Sequence, residues 1–528
     1  MALRTGLYTT RAISAWLFGG AMVLAATRAH AATPFEQATQ LFDAGSWEPA
    51  ALALEGVTRT GSPFEREVAE YDLAISLHRM GLPSAAYALF SSIADRPNHA
   101  RFDETLVWLA KLAIELPEPA DVIERIGKYD PDRVSRFAET QRETASQLRY
   151  LFGRYQYRSG LYEAALRSFA DVGRASTSWV RGRFYCAAAN VQLRRSAPAI
   201  ACLREALSAI DAPGAPVDDV ALRDLAHLSI ARVLYSDSFR LGSDRTATID
   251  GTELHSAVDA WSRVDRASPL WLDALSEQAW AYFMERDDAR ALGNLHTLDA
   301  PYFAGAYYPE ASILRSLIFV TNCQWEDATT TALAFQRKFL PIADGLGRVL
   351  TRVSSDASDA RALALVVDVR ADLAEGTDRA GIPAVVRPVM ARIAADRAIG
   401  RQIDWVRFID ADRARLGEKS PALRASSLGG TTADVLQLAH DIAVRDVARL
   451  VRARLRREND ELDAHLRTSA NVVVSIPTWM RDGGGIGIAG APKAITVDHE
   501  HVKWPFDGEF WSDELGSYRQ AVRSECAR

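Results

Sequence analysis

Lysine is nearly missing from this chain: six lysines stand against fifty-six arginines, and acids still outnumber bases, for a formal net charge of −6 over 528 residues. A protein without a basic excess is a poor nucleic-acid binder. The arginine bias reads as the habit of a GC-rich genome, not as a phosphate-binding adaptation. After the first thirty-one residues no stretch is apolar enough to span a bilayer, which takes ~20 residues. The nucleophile motif G-x-S-x-G is absent, so nothing indicates a serine hydrolase of the α/β type.

The N-terminus has the order of a secretory signal. Arg4 and Arg11 precede the apolar run Ala12 to Ala26, and Ala29-His30-Ala31 is an A-x-A cleavage site. Cleavage after Ala31 removes three arginines (Arg4, Arg11, Arg28) and no acid, taking the net charge from −6 to −9. Position 32 is Ala, not Cys, which speaks against a lipid-modified N-terminus. The expectation is a soluble periplasmic protein, with residues 1–31 as its signal peptide.

A spacing dominates the remainder. Ala165 to Ala199 is 34 residues, and so is Ala257 to Ala291. Each alanine follows a turn-like segment and opens an amphipathic helix, with a large residue four positions on: Ala165 with Phe169, Ala199 with Leu203, Ala257 with Trp261, Ala291 with Leu295. Ala50 with Leu54, Ala86 with Phe90 and, more weakly, Ala328 with Ala332 continue the series. A short side chain is needed where two helices cross closely, and the larger one fills the space beside it. Twelve residues before the small position a second small residue recurs, as Gly153, Ala187, Ala279 and Ser316. Pro269 and Pro341 mark unit ends. A helix pair repeating at this length buries its apolar face only against its neighbours.

These features resemble the tetratricopeptide repeat (TPR), whose pattern of an aromatic, Leu-Gly, Tyr, Ala, Phe, Ala and Pro each unit matches in pieces. The expected fold is all-α: a TPR-like α-solenoid of antiparallel helix pairs over 32–341, seven units with a degenerate pair at Phe102 to Asp132. Long helices follow over 342–470, then a short irregular, β-like tail over 471–528. Ser236 to Gly251 loops out between the helices of one unit, as a tolerated insertion or a partner-contact loop. The resemblance implies that the first helix of each pair lines a concave face that selects a peptide or helix. The groove positions are then Tyr150, Arg154 and Tyr157, Arg181 and Phe184, and Trp280 and Phe283. Aromatic and Arg side chains carry much interface energy; the alternative is that Phe184, Trp280 and Phe283 pack between repeats.

An oxidising compartment makes the four cysteines relevant. Cys186 and Cys202 lie at similar height about the turn near Arg195, and form either a disulfide or two small buried apolar residues. Cys323 and Cys526 are too distant in sequence to be paired by argument.

In the C-terminal third, Pro388 to Leu416 reads as one long helix, Leu428-Gly429-Gly430 as a hinge, and Thr431 and Thr432 as N-caps of a helix from Ala433 to about Leu466. Arg445, Arg449, Arg452, Arg454, Arg456 and Arg457 form a basic block. The i,i+4 acids Glu458, Asp460 and Glu461 neutralise it in part, as a solvated face or as a contact to an acidic partner or anionic envelope surface. Leu438, Ile442, Leu450, Leu455, Leu462 and Leu466 keep no heptad and suggest packing against the other long helix, or loose self-association, instead of a regular coiled coil. Asn471 to Pro477 and Ala494 to Val502 look β-like. Gly485, Gly487 and Gly490 satisfy G-x-G-x-x-G, but Ala491-Pro492 and a strand-like run follow where nucleotide binding needs a helix N-terminus. Asp498-His499-Glu500-His501 lacks the spacing of a zinc motif and has no third ligand nearby. No metal and no cofactor is expected.

The tail from Trp504 to Tyr518 is dense in aromatics and is expected to dock on the body. With Pro269 to Pro341 it resembles exported TPR proteins of gliding and predatory bacteria, which implies an envelope role, in some members beside motility machinery, and permits peripheral membrane association. An exported enzyme remains as the competing class, since soluble lytic transglycosylases place an α-superhelical ring before a catalytic domain. Their Glu-Ser dipeptide occurs nowhere in this chain. The expectation is a non-catalytic scaffold that binds a protein.

Overall fold

The computed structural model describes residues 32–117, 121–138, 140–241, 247–482, 492–495 and 502–526. The signal-like segment 1–31, the glycines Gly485, Gly487 and Gly490, and Asp498 to His501 lie outside the described residues.

The described chain is almost wholly helical. It opens with α1 (Pro34–Asp43), α2 (Trp47–Thr60), α3 (Pro63–Arg79) and α4 (Pro83–Ala94). A capping box between Thr33 and Glu36, with Pro34 at the first turn, starts α1 immediately after the expected cleavage point. The degenerate region holds α5 (Phe102–Glu115) and the short helices α6 (Val122–Ile126) and α7 (Ser135–Ala138). Then α8 (Arg142–Arg158) precedes α9 (Tyr162–Ala170), and α10 (Trp179–Gln192) precedes α11 (Ser196–Ile210).

After the single turn α12 (Val217–Val220) come α13 (Arg223–Ser238) and α14 (Gly251–Trp261). Between these two, Phe239–Leu241 and Ala247–Ile249 pair as an antiparallel hairpin, which is the form the polar insertion takes. Next are α15 (Trp271–Met284), α16 (Asp288–Leu298), α17 (Pro309–Thr321) and α18 (Trp325–Arg352). The last set is α19 (Asp359–Glu375), α20 (Arg387–Ala394), α21 (Arg397–Gly417), α22 (Pro421–Ala425) and the 56-residue α23 (Ser427–Asp482).

Neighbouring helices in sequence are neighbours in space, and the small residues meet where expected. Ala50, Ala86, Ala165, Ala199, Ala257, Ala291 and Ala328 are all completely buried, and so nearly are Leu54, Phe90, Phe169, Leu203, Trp261, Leu295 and Ala332. Gly153 shows the cause most directly: a Cβ there would lie 2.5 Å from the Phe169 ring. Ser316 uses its smallness differently, donating its hydroxyl to the Ala328 carbonyl across the helix pair at 3.2 Å.

A turn recurs that the spacing alone did not specify. Among the described residues, six first helices end on a left-handed residue: Gly45, Gly81, Gly160, Arg194, Arg286 and Cys323. In each, that residue's N–H bonds the carbonyl three back and the next N–H bonds the carbonyl five back, as in Gly160 to Tyr157 with Leu161 to Gln156, and Arg286 to Phe283 with Asp287 to Tyr282. This double bond satisfies helix-end carbonyls. Its repetition gives the second helices a common exit direction.

The C-terminal third departs from its sequence expectations. Pro341 ends nothing, because α18 runs through it. The proline sits on the exposed face, where water can serve the carbonyl it frees, while Phe335, Phe339, Ile342, Leu346 and Val349 continue the buried stripe. Pro388 to Leu416 is two helices, broken where the Asp396 carboxylate caps α21 by accepting the Ala398 and Ile399 N–H groups. Leu428-Gly429-Gly430 is helical, not a hinge. Gly429 is there for close approach, since a Cβ would lie 2.2 Å from the Leu423 carbonyl oxygen. Thr431 and Thr432 are likewise inside α23, and Ser426 takes their capping role through its hydroxyl and the Gly429 N–H.

Asn471 to Pro477 is helical as well. Val472 and Ile476 are buried one turn apart, a spacing that a continuous apolar run conceals. The seam of α23 is Leu436, Ala443, Val447, Val451, Leu455 and Leu462, whereas Leu438 and Ile442 face outward. Within the basic block Arg452 is buried: it donates to the Val353 and Ser355 carbonyls and pairs with Asp359.

At 1.5 Å per residue α23 is roughly 84 Å long, and it ties distant parts of the chain together. Near its start Ser427 bonds Glu55, and near its end the Ser469 hydroxyl bonds the Ala332 carbonyl at 2.9 Å. Ahead of it, buried Asp412 of α21 accepts the Ser84 N–H at the start of α4 (2.7 Å), and Lys419 reaches the Met80 carbonyl. One hydrophobic core therefore joins residues 38–152 to residues of α18 through α23. A second joins α9 through α18 to the end of α23 and to Leu515 and Tyr518 of the tail.

Candidate functional site

Of the expected groove residues, three converge. On α8, Arg154 lies over the rings of Tyr150 (5.6 Å) and Tyr185 (5.5 Å), and Tyr157 meets Tyr185 edge-on at 5.6 Å. Burial pushes the Tyr157 phenol above its ordinary value, with Tyr162 adding to it. Tyr185, from α10, is the centre of this group and was missed by sequence. Its signal was position: one residue beyond Phe184 on a first helix, facing α8. Such stacking holds the Arg154 guanidinium against aromatic faces.

The other positions divide. Arg181 is exposed on α10, its guanidinium 4.0 Å from Asp218. Phe184 is half-buried against the cluster of Val172, Trp179, Val180, Ala206 and Ile210. Trp280 and Phe283 meet edge-on at 6.3 Å on α15, apart from the tyrosine group, and Phe283 is only 4% exposed. The core therefore holds Phe283.

A second polar concentration, unmarked by any motif, lies where α15, the start of α17, α20 and α23 meet. It encloses a cavity of about 120 Å³. Tyr308 donates its hydroxyl to Asp273 Oδ1 at 2.8 Å, and Glu277 is held by Arg232 and by the Trp261 Nε1–H at 3.1 Å. Arg392 donates to the Tyr307 carbonyl at 3.1 Å. His465, its Nε2 3.6 Å from Glu310 Oε1, outweighs burial and holds the Glu310 carboxyl below its ordinary range. Burial, then the charge of Asp273, drives the Tyr308 phenol far up. Four separated segments build this cavity, so no spacing in the sequence announces it.

Both cysteine pairs are bridged. Cys186 joins Cys202, one of the two arrangements open from sequence, with Cα atoms 6.1 Å apart. Cys323 joins Cys526, with Cα atoms 4.9 Å apart. This corrects the expectation that those two have no argued partner: the docked tail closes a separation of 203 residues. Docking uses backbone groups of the helix pairs. Gln520 N–H bonds the Ala289 carbonyl, Glu525 N–H the Asn322 carbonyl, and Lys493 N–H the carbonyl of left-handed Arg286. Around them His296 stacks on Phe510 (4.5 Å), and Trp504 lies 4.6 Å from Trp511.

Among the described residues no group of three His, Cys, Asp or Glu side chains could hold a metal ion. No described helix is long and apolar enough to cross a membrane. The chain matches no protein-family model and no curated protein.

Proposed function

We propose that this protein is an exported, non-catalytic TPR-like scaffold of the bacterial cell envelope, binding a protein partner on the concave face formed by its first helices. The observation that carries the proposal is the six-fold recurrence of one left-handed turn, each at the end of a first helix and each followed by a second helix with a buried alanine. This recurrence supports the reading as a stacked helix-pair array, a construction that exposes extended surfaces suited to peptides and helices. Two disulfides support an oxidising compartment and agree with the signal-like residues 1–31.

Arg181 at the surface and the Tyr150, Arg154, Tyr157 and Tyr185 group beside it are the proposed contact region. An envelope-assembly or motility complex is the proposed setting. Affinity capture from native cells with wild-type protein and with Arg181→Glu tests this reading. Loss of one partner by the variant, with unchanged circular dichroism, supports it. Identical capture by both moves the contact elsewhere.

A further inference from the structure

We propose that the cavity between α15, α17, α20 and α23 is a binding site for a primary alkylammonium group. It is independent of the partner surface assigned above. Five acids line the cavity, Asp273, Glu277, Glu310, Glu458 and Glu461, against Arg392 and His465. The cations of the region are already engaged. Arg392 serves the Tyr307 carbonyl and lies 4.0 Å from Glu458 Oε1, and Arg232 from outside serves Glu277. Arg454 lies 2.5 Å from Glu458 Oε1 but out of line for a hydrogen bond. Glu461, at the exposed rim, forms no ion pair among the described residues. An anion would meet this surplus of negative charge unfavourably.

Tyr307 supplies the second, independent observation. Its side chain is 7% exposed and lines the cavity, yet its hydroxyl has no hydrogen-bond partner among the described residues. A buried polar group without a partner is costly, so one at the wall of a polar cavity is poised for a ligand. The donor and acceptor inventory selects the ligand class. An ammonium carries three donors and no acceptor, matching the Tyr307 oxygen and the Glu458 and Glu461 carboxylates. Buried Leu462 gives an apolar wall for its methylene stem. The acids do not cluster as a metal site requires, and the volume admits a short aliphatic chain.

The ammonium can come from a free diamine or from a lysine side chain of a polypeptide. Isothermal titration of the full mature chain at low salt separates them, with putrescine in one arm and an N-acetylated, C-amidated Gly-Lys-Gly peptide in the other. For so few ligand atoms the expected Kd is on the order of 1 mM, and the tighter probe names the source. 1-Butanol, with the stem and no charge, should not bind. Tyr307→Phe should weaken the amine roughly tenfold by removing a hydrogen bond to a charged group. Glu461→Gln, exposed and harmless to folding, should weaken it too. Saturable binding lost in both variants supports the site. No saturable heat from either amine, or binding that both variants leave unchanged, overturns it.

Discussion

Gly293 and Tyr518 touch through backbone: a Cβ added to Gly293 would stand 1.7 Å from the Tyr518 carbonyl oxygen. No side chain fits there while the tail is docked. The Gly516 N–H, bonded to Thr297 Oγ1 at 3.0 Å, holds the same stretch one turn along α16.

Gly293→Ala therefore has a sign that distinguishes a docked tail from a free one. On an unpartnered helix the change would stabilise by up to ~1 kcal/mol. Here it forces tail or helix to shift, and the expected result is a loss of about 1–3 kcal/mol together with faster proteolysis between residues 502 and 526. Higher thermal stability with an unchanged digestion pattern would contradict the docking.

The second prediction concerns the bridge that fastens this tail. In the chain-entropy model, closing 203 residues through Cys323 and Cys526 contributes about 5 kcal/mol, and closing 16 through Cys186 and Cys202 about 3 kcal/mol. Cys526→Ser should lower the thermal midpoint more than Cys202→Ser does. Peptide mapping of unreduced protein from its native compartment should find both cross-links. Four alkylatable thiols would refute them.

The left-handed turns give a third prediction. Gly160 has φ +75° and no atom within 4 Å of an added Cβ, so Gly160→Ala isolates the backbone effect. A left-handed non-glycine residue costs roughly 1–2 kcal/mol, and a loss near that size is expected. Arg194, exposed with φ 57°, is the converse, and Arg194→Gly should be neutral or stabilising by up to ~1 kcal/mol. Urea denaturation measures both, and a stabilising Gly160→Ala or a clearly destabilising Arg194→Gly would sink the assignment of a shared turn.

A fourth prediction is a pH effect at Asp72. Burial raises this carboxyl from 3.8 to about 6, with Arg101 opposing the rise and Asp43 adding to it. A carboxyl raised on folding binds protons more tightly in the native state. Its contribution is present near pH 4 and is lost as pH climbs through 6. Asp72→Asn should flatten stability between pH 4 and 6, by about 1–2 kcal/mol once solvent screening is allowed for. A slope identical to wild type would show that Asp72 is well hydrated.

Legibility followed the range of the interactions. The helix crossing at Ala165, with Phe169 one turn along the same helix, and at every comparable pair, was readable because close approach imposes a residue size at fixed spacing. Helix ends in the last third were not, because Pro341 and Pro477 sit on exposed faces where a helix tolerates them. The run Val472 to Val474 carries no period by itself. Asp412 meeting Ser84, Cys526 meeting Cys323, and Tyr307 beside Glu458 leave no local trace at all. They depend on α21, α23 and the tail returning to helices earlier in the chain, a long-range arrangement that no spacing encodes. The tyrosine group was half visible: α8 supplied Tyr150, Arg154 and Tyr157, while the Tyr185 that they surround lies one unit later.

Site-specific photocrosslinking in living cells tests the scaffold claim most directly. A benzophenone amino acid placed at Arg181 on the first helix α10 probes the proposed concave face, and one placed at exposed Arg204 on the second helix α11 probes the opposite face. A partner bound on the concave face gives one discrete protein adduct in the envelope fraction from position 181 and none from position 204. Adducts from position 204 alone, or none from either, would contradict it.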